Sequence, residues 1–371
     1  MRTSSLRRRL SGGSGDTAPP GGLAAGAGWL TGRWGLGHAG GDAIVAAVLV
    51  LANLVIVIWF GSGFIFVWLL MLPYIMAASG TNITVGWTGR LSFGHALFFA
   101  GGAYVAAKLA TGHIFAGAVV IPLICGVVAA ALSVPLSLIA HKRRGVYFSI
   151  LTLIVAQIVY SVVQNWSYVG GGSGLANVYV QNLGPISLAS TDAFAWYAVI
   201  WTIVILVVLR AVYRSPFGLS CRAVREDGLR AETLGVPTSR LFTVSLALSA
   251  FITGLAGAIL AYSETTVSPT QFYWTVSGTL VVMCLLGGRF SVLGPAIGAC
   301  VYIFIQDQLF QNSASAADAL VGGTFLLIVL VLPGGLVSIG ERIRNARAPG
   351  GSAADPDPPD VLRELLAGGK R

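Results

Sequence analysis

Ile114–Arg144 reads IFAGAVVIPLICGVVAAALSVPLSLIAHKRR. Residues 114–140 hold no charged side chain, and the run exceeds the ~20 residues that an α-helix needs to cross the hydrocarbon of a bilayer. It ends in Lys142, Arg143 and Arg144, a basic cluster of the kind found at the cytoplasmic end of a membrane helix. The stretch predicts a transmembrane helix, and the chain on either side repeats the pattern.

Apolar segments recur at 43–60, 64–78, 91–110, 114–140, 145–164, 194–213, 241–262, 275–287, 292–310 and 319–340. The predicted fold is an all-α membrane protein, a polytopic bundle of about ten transmembrane helices. Segments 64–78 and 275–287 are short for a full crossing and are expected to be tilted, extended or half-helices. Composition agrees. Of 371 residues, 55% are hydrophobic and only 10% charged, with mean hydropathy +0.80, too little charge to cover a soluble surface. The 48 glycines suit helices that approach closely or break within a bilayer.

The net charge of +9 would suit nucleic acid if the cations formed one face. They lie instead in short loops and tails between the apolar runs, so lipid is the expected surrounding and no nucleic-acid partner is predicted. With a cytoplasmic N-terminus and ten crossings, every Lys and Arg except Lys108 falls on the cytoplasmic side. Lys108 sits at the outer end of its helix, where a long stem reaches the interface. Both termini are therefore expected inside. Residues 1–42 read as a disordered cytoplasmic tail, 43–340 as the transmembrane domain, and 341–371 as a second polar tail. Arg7–Arg9 are followed by Ser11–Gly15 rather than an apolar stretch, which argues against a signal peptide. Gly35–Gly40 formally matches GxGxxG, but no strand precedes it and no nucleotide site is expected. Cys125, Cys221, Cys284 and Cys300 show no CxxC spacing and are read as free thiols.

Two loops are long. Residues 165–193 fall outside, lack Lys and Arg, and contain Gly170-Gly171-Gly172-Ser173-Gly174. Residues 214–240 fall inside and are highly charged. An internal echo also appears. Gly89-Arg90-Leu91-Ser92-Phe93-Gly94-His95-Ala96 resembles Gly288-Arg289-Phe290-Ser291-Val292-Leu293-Gly294-Pro295-Ala296, and both stretches join a short apolar segment to a longer one. Glycine-interrupted segments at matching places in two halves point toward a transport site.

No GxxxxGK[ST] occurs around Lys108, Lys142 or Lys370, so this chain is not expected to bind ATP through a P-loop. His38, His95, His113 and His141 are scattered without metal-ligand spacing; neither metal nor cofactor is predicted. Only Asp307 lies within an apolar segment, near its outer end, whereas Glu264 and Asp318 are placed in outer loops. Ion-coupled carriers keep ionisable groups deep in the membrane. The expectation is a non-catalytic pore whose energy comes from elsewhere and whose solute is neutral or zwitterionic.

The inner loop is where that energy would enter. Arg222, Ala223, Val224, Arg225, Glu226, Asp227, Arg230, Ala231, Glu232, Leu234 and Gly235 read as one short charged helix with a Gly stop, supported by a Glu226–Arg230 pair. A solvated loop helix and a partner-docking helix both fit that pattern.

These residues resemble the LivM-type permease subunits of branched-chain amino acid ABC importers. Gly86–Phe98 with Gly101-Gly102-Ala103-Tyr104 resembles that family's "G..G.LS.GHA.F.G.GAY". Arg144–Phe148 through Thr152-Leu153 resembles "RG.YFA..TL", and Trp166 with Gly170–Leu175 resembles "W...TGG.GGL", with Val169 where the pattern has Thr. Ser215–Gly218 and Arg222–Asp227 resemble "SP.GR...AIRE.E", with Leu219 in place of the Arg. Gly254–Ala258, Leu286–Gly288 with Gly294-Pro295, and Pro333–Leu336 complete a likeness over residues 65–340.

The resemblance implies a pore shared with a second, LivH-like permease subunit, two cytoplasmic ATPase subunits that hydrolyse ATP, and an extracytoplasmic solute-binding protein, in the bacterial cytoplasmic membrane. It implies coupling to the ATPases through Ser215, Pro216, Phe217, Gly218, Arg222, Ala223, Arg225, Glu226, Ala231, Leu234 and Gly235. The glycine-rich motifs and their echo make Gly89, Ser92, Gly94, His95, Phe98, Gly101, Gly102, Tyr104, Tyr147, Thr152 and Gly294 the candidates for the translocation path or pore packing. Importers of urea, amides or aromatic acids use similar subunits, so the solute class stays open. A passive channel or secondary carrier is the competing class. An intramembrane hydrolase built on Ser92 and His95 is a third, although Ser92 more simply caps a helix.

Overall fold

The computed structural model describes residues 49–51, 53–55, 62–111, 117–141, 145–180, 188, 190–312, 322–323 and 335–336. Both tails, most of the first and last predicted spans, and Lys142–Arg144 lie outside those residues. Along the described chain run α1 (Ser62–Asn82), α2 (His95–Thr111), α3 (Gly117–Ala140), α4 (Val146–Asn165) and α5 (Thr191–Arg214). Two short helices follow, α6 (Pro216–Glu226) and α7 (Gly228–Thr233), then α8 (Thr238–Glu264), α9 (Trp274–Gly287) and α10 (Gly294–Asn312). Among the described residues five segments are long and apolar enough to cross a membrane: α1 with its extension to Trp87, α3, α4, α5 and α8. The protein is an all-α, multi-pass membrane protein.

Local sequence explains several boundaries. Ser190 Oγ accepts from Ala193 N at 3.4 Å to open α5, with Asp192 in the first turn and Arg214 in the last, matching the helix dipole at both ends. α1 does not stop where its apolar run thins at residue 78. It continues to Asn82 and then widens into a π-helical turn, Ile83–Trp87. Threonines support that widening. Thr81, Thr84 and Thr88 hydroxyls donate to the carbonyls of Ala77, Thr81 and Thr84 at 2.8–2.9 Å, supplying donors where the regular ladder lapses. The short 64–78 segment is thus the core of a full span, whereas α9, with 14 residues, stays short.

α8 is the axis of the bundle. It packs most extensively on α3, then α2, then α1, while α9 and α10 pair with each other and lean on α1. Small residues permit the closeness: a Cβ on Gly102 of α2 would overlap the Gly254 carbonyl of α8, and one on Gly257 would overlap the Phe99 carbonyl. α4 lies at the periphery with Val146, Ile150, Ile154, Ile158 and Val162 exposed along one stripe.

The described part of the 165–193 loop is structured. Two 3-10 turns lead into β1 (Leu175–Ala176), which pairs antiparallel with β2 (Thr266–Val267) just beyond α8. Lys108 donates to the Tyr168 carbonyl and stands over its ring at 4.2 Å, so this cation holds the loop to the end of α2. Glu264, expected in a loop, is the last residue of α8 and accepts from Gln271 Nε2 at 2.8 Å.

Candidate functional site

Between Trp87 and His95 the chain is not helical, yet it is largely buried, so its backbone groups need partners. They come from neighbouring helices. On α4, Thr152 Oγ1 accepts from Phe93 N at 3.1 Å and Ser149 Oγ donates to the Leu91 carbonyl at 2.7 Å. Ser277 of α9 accepts from Ala96 N at 2.8 Å. Arg90, buried, stands 4.0 Å from the Phe242 ring centre and donates to the His141 carbonyl beyond α3 at 3.4 Å.

Here most of the predicted path residues gather. Gly89 turns the chain at φ +71°, and Ser92 Oγ accepts from Gly94 N at 3.3 Å, closing a turn immediately before α2. His95 is fully buried; its Nε2 lies 2.8 Å from Ser249 Oγ on α8 and 3.3 Å from Thr84 Oγ1, while Ser249 donates to the Gly80 carbonyl at 2.7 Å. His95 Nε2 therefore engages α8 and the turn after α1, not the Ser92 hydroxyl that the hydrolase reading needs. Phe98 packs edge-on to His95, and Tyr104 packs against Phe272. Three predicted residues stand apart: Tyr104 lies along α2 away from the break, Gly101 has open space where a Cβ would point, and Tyr147 is exposed at the start of α4.

The echo has a structural counterpart. Gly288 sits at φ +115° after α9, as Gly89 does after α1, and Gly294 opens α10 as His95 opens α2. The two breaks touch. Asn82 Nδ2 donates to the Ser291 carbonyl at 3.1 Å, and a Cβ on Gly86 would overlap the Arg289 carbonyl.

The predicted coupling residues lie at the same end of the bundle, in a corner made by α6 and α7. Pro216 begins α6 at its first turn, where no amide donor is needed, and Ser215 Oγ donates to the Val212 carbonyl at 2.6 Å. Gly218 is required because a Cβ would overlap the Tyr213 carbonyl. Phe217 is half-buried, Cys221 and Ala231 are buried, and Ala223 is exposed. Arg222 stands over the Tyr213 ring at 4.6 Å.

The single helix expected across 222–235 is instead two helices. Asp227 is extended, and its Oδ1 accepts from Leu229 N and Arg230 N at 3.0 Å, capping a new start ahead of Gly228. That break takes Glu226 and Arg230 off a common face, so the expected pair between them is replaced. Glu226 pairs with Arg225 at 2.7 Å, and Arg230 approaches Asp227 at 3.9 Å. Gly235, at φ +87°, ends α7 with Val236 N donating to the Ala231 carbonyl at 3.0 Å.

Away from both breaks, a cavity of about 410 Å³ opens between α1, α9 and α10, lined by Tyr74, Glu264, Thr279, Gln306 and Asp307 among others. None of the predicted path residues lines it. Its signal in sequence was Asp307, the single carboxylate in an apolar run; Glu264 was hidden by its assignment to a loop.

Comparison with known proteins places this geometry. Residues 63–330 match the family described as branched-chain amino acid transport system / permease component. The chain is 26% identical over 311 residues to the high-affinity branched-chain amino acid transport system permease protein LivM of Escherichia coli K12, covering 76% of this chain and 73% of that one. The Salmonella typhimurium LivM protein is 26% identical over 307 residues, covering 76% and 72% respectively. The LivH permease protein of Escherichia coli K12 is 25% identical over 293 residues, covering 71% of this chain and 91% of its own. No solved structure matches the chain.

Proposed function

Because the chain belongs to the branched-chain amino acid transport permease family, we propose that it is one of two pore-forming subunits of an ATP-driven importer for branched-chain amino acids or a related small zwitterionic solute. Its partners are a LivH-like second permease, two ATPase subunits and an extracytoplasmic binding protein. Ten crossings over 43–340, with both tails cytoplasmic, put the α6–α7 corner inside the cell and the β1–β2 pair outside. ATP-driven closure of the ATPases would move the corner and bias the pore between inward- and outward-open states.

The corner is the observation that carries this reading. It projects from the bundle with Leu219, Leu229 and Leu234 at 62%, 68% and 80% exposure, interleaved with Glu226 and Arg230. Apolar knobs among charges on a water-facing corner suit a partner groove with a polar rim. Replacing Leu229 and Leu234 together with Asp should cut ATPase co-purification by about tenfold or more, the scale of losing central contacts. Wild-type retention of the ATPases would remove this surface from the interface. Orientation has a separate test: cysteine at Ser173 should react with an impermeant thiol reagent on intact cells, and cysteine at Leu234 should not. Labelling at Leu234 from outside would reverse the topology.

A further inference from the structure

One residue of the corner faces inward rather than toward a partner. Arg225, in the last turn of α6, has only 20% of its side chain exposed, although it is a cation on a surface helix. Its Nη1 donates to the Gly86 carbonyl at 2.9 Å, inside the π turn that ends α1. A carbonyl there lacks the helical partner that the next turn would supply, and a guanidinium meets both its hydrogen-bonding need and the negative end of the helix dipole. The stem lies against Gly89, where a Cβ would come within 2.9 Å of Arg225 Cγ. On its other side, Arg225 Cζ stands 4.8 Å from the centre of the Phe290 ring, in the second break. Glu226 Oε1 accepts from Nε at 3.3 Å and Nη2 at 2.7 Å, fixing the plane of the fork. Tyr213, at the end of α5, backs the same junction: its hydroxyl donates to the Phe290 carbonyl at 3.3 Å and its ring packs on Trp87 at 5.2 Å.

We propose that Arg225 is the positioning residue that ties the ATPase-facing corner to both chain breaks, so that displacement of the corner is delivered together to the starts of α2 and α10. The inference rests on the corner being the ATPase seat. A side chain that holds the Gly86 carbonyl and the Phe290 ring in one grip reinforces the direct contact of the two breaks through Asn82 and Ser291 and makes them respond as a unit to the corner. Lysine could keep the charge and one donor, but it has neither the fork nor the flat face.

The test uses the complete membrane complex with its second permease, ATPases and leucine-loaded binding protein. Arg225→Ala should retain the ATPases and their basal hydrolysis, yet lose stimulation by the loaded binding protein. Uptake should fall by about tenfold, and more ATP should be spent per leucine imported. Arg225→Lys should fall between that variant and wild type. Phe290→Ala should cause a similar uncoupling, and the double variant should lose no more than Arg225→Ala alone, because both act through one link. Normal stimulation and uptake in Arg225→Ala, or fully additive losses, would overturn the link. So would loss of the ATPases to the same extent as in the Leu229 and Leu234 variant, since Arg225 would then be an interface residue. If the alanine variant does not reach the membrane, Arg225→Lys decides by the same readouts. Should the leucine variant keep its ATPases while Arg225→Ala is uncoupled, the docking surface is wrong and the link stands.

Discussion

α4 and α8 are equally apolar by sequence, yet 78% of the most apolar stretch of α8 is buried inside the protein against 22% of that of α4. Hydropathy decides that a helix enters the bilayer and says little about its place within the bundle, because lipid tails are as apolar as leucine. What separates the two is side-chain size and pairing. α8 offers Ser249, Gly254 and Gly257 to its neighbours, so backbones close in and the Ser249 hydroxyl finds the Gly80 carbonyl, while the Ser245 and Thr253 hydroxyls donate back to carbonyls of α8 itself. α4 offers branched aliphatics outward and keeps its useful hydroxyls, Ser149 and Thr152, for the break beside it.

The largest expected effect follows from closeness. Gly254→Leu would drive a side chain into Ala129 and the Cys125 carbonyl, and should destabilise the bundle by about 3 kcal/mol or more, seen as loss of folded permease in detergent. A near-normal melting curve would mean that α8 can move away from α3, and the axis described above would be wrong. Ser249→Ala comes next. It leaves His95 and the Gly80 carbonyl each short of a partner, for about 1–3 kcal/mol by thermal unfolding. Ser249→Thr, which keeps the hydroxyl, should lose less. The smallest effect belongs to α4: Ile158→Ala, 58% exposed, should shift stability by less than about 0.5 kcal/mol. A loss as large as that of Ser249→Ala would show that protein, not lipid, covers this stripe in the assembled transporter.

How far sequence reaches is visible in the same two helices. The limits of α3, α4, α5 and α8 fall within a few residues of the apolar runs, because charge and apolar length act locally. The pairing of His95 with Ser249 spans 154 positions and leaves no local trace. Neither does the antiparallel contact of Leu175–Ala176 with Thr266–Val267, which depends on where α8 ends in space. Asp227-Gly228 did carry a local signal, a capping side chain ahead of a glycine, but the surrounding charge pattern favoured one continuous helix. At the candidate site, the echoed glycine motifs fall at the two interruptions between helices, residues 88–94 and 288–293. That Arg225 reaches across to them rested on tertiary geometry alone.

The placement of sulfur sets how this protein can be studied by spectroscopy. Cys125, Cys221 and Cys284 are buried and free, and only Cys300 is partly open. Burial pushes the Cys221 thiol up to about 11, against a weaker opposing pull from Ser245 and Arg222, so little thiolate exists near neutral pH. Native Cys221 would therefore stay silent toward maleimides from either side of the membrane and cannot report orientation. The same silence makes the wild-type chain a low-background host. With Cys300 alone replaced, a spin label or fluorophore at Leu234 and another at Ser173 would read the α6–α7 corner and the 165–193 loop in one molecule, without stripping the cysteines that fill its core.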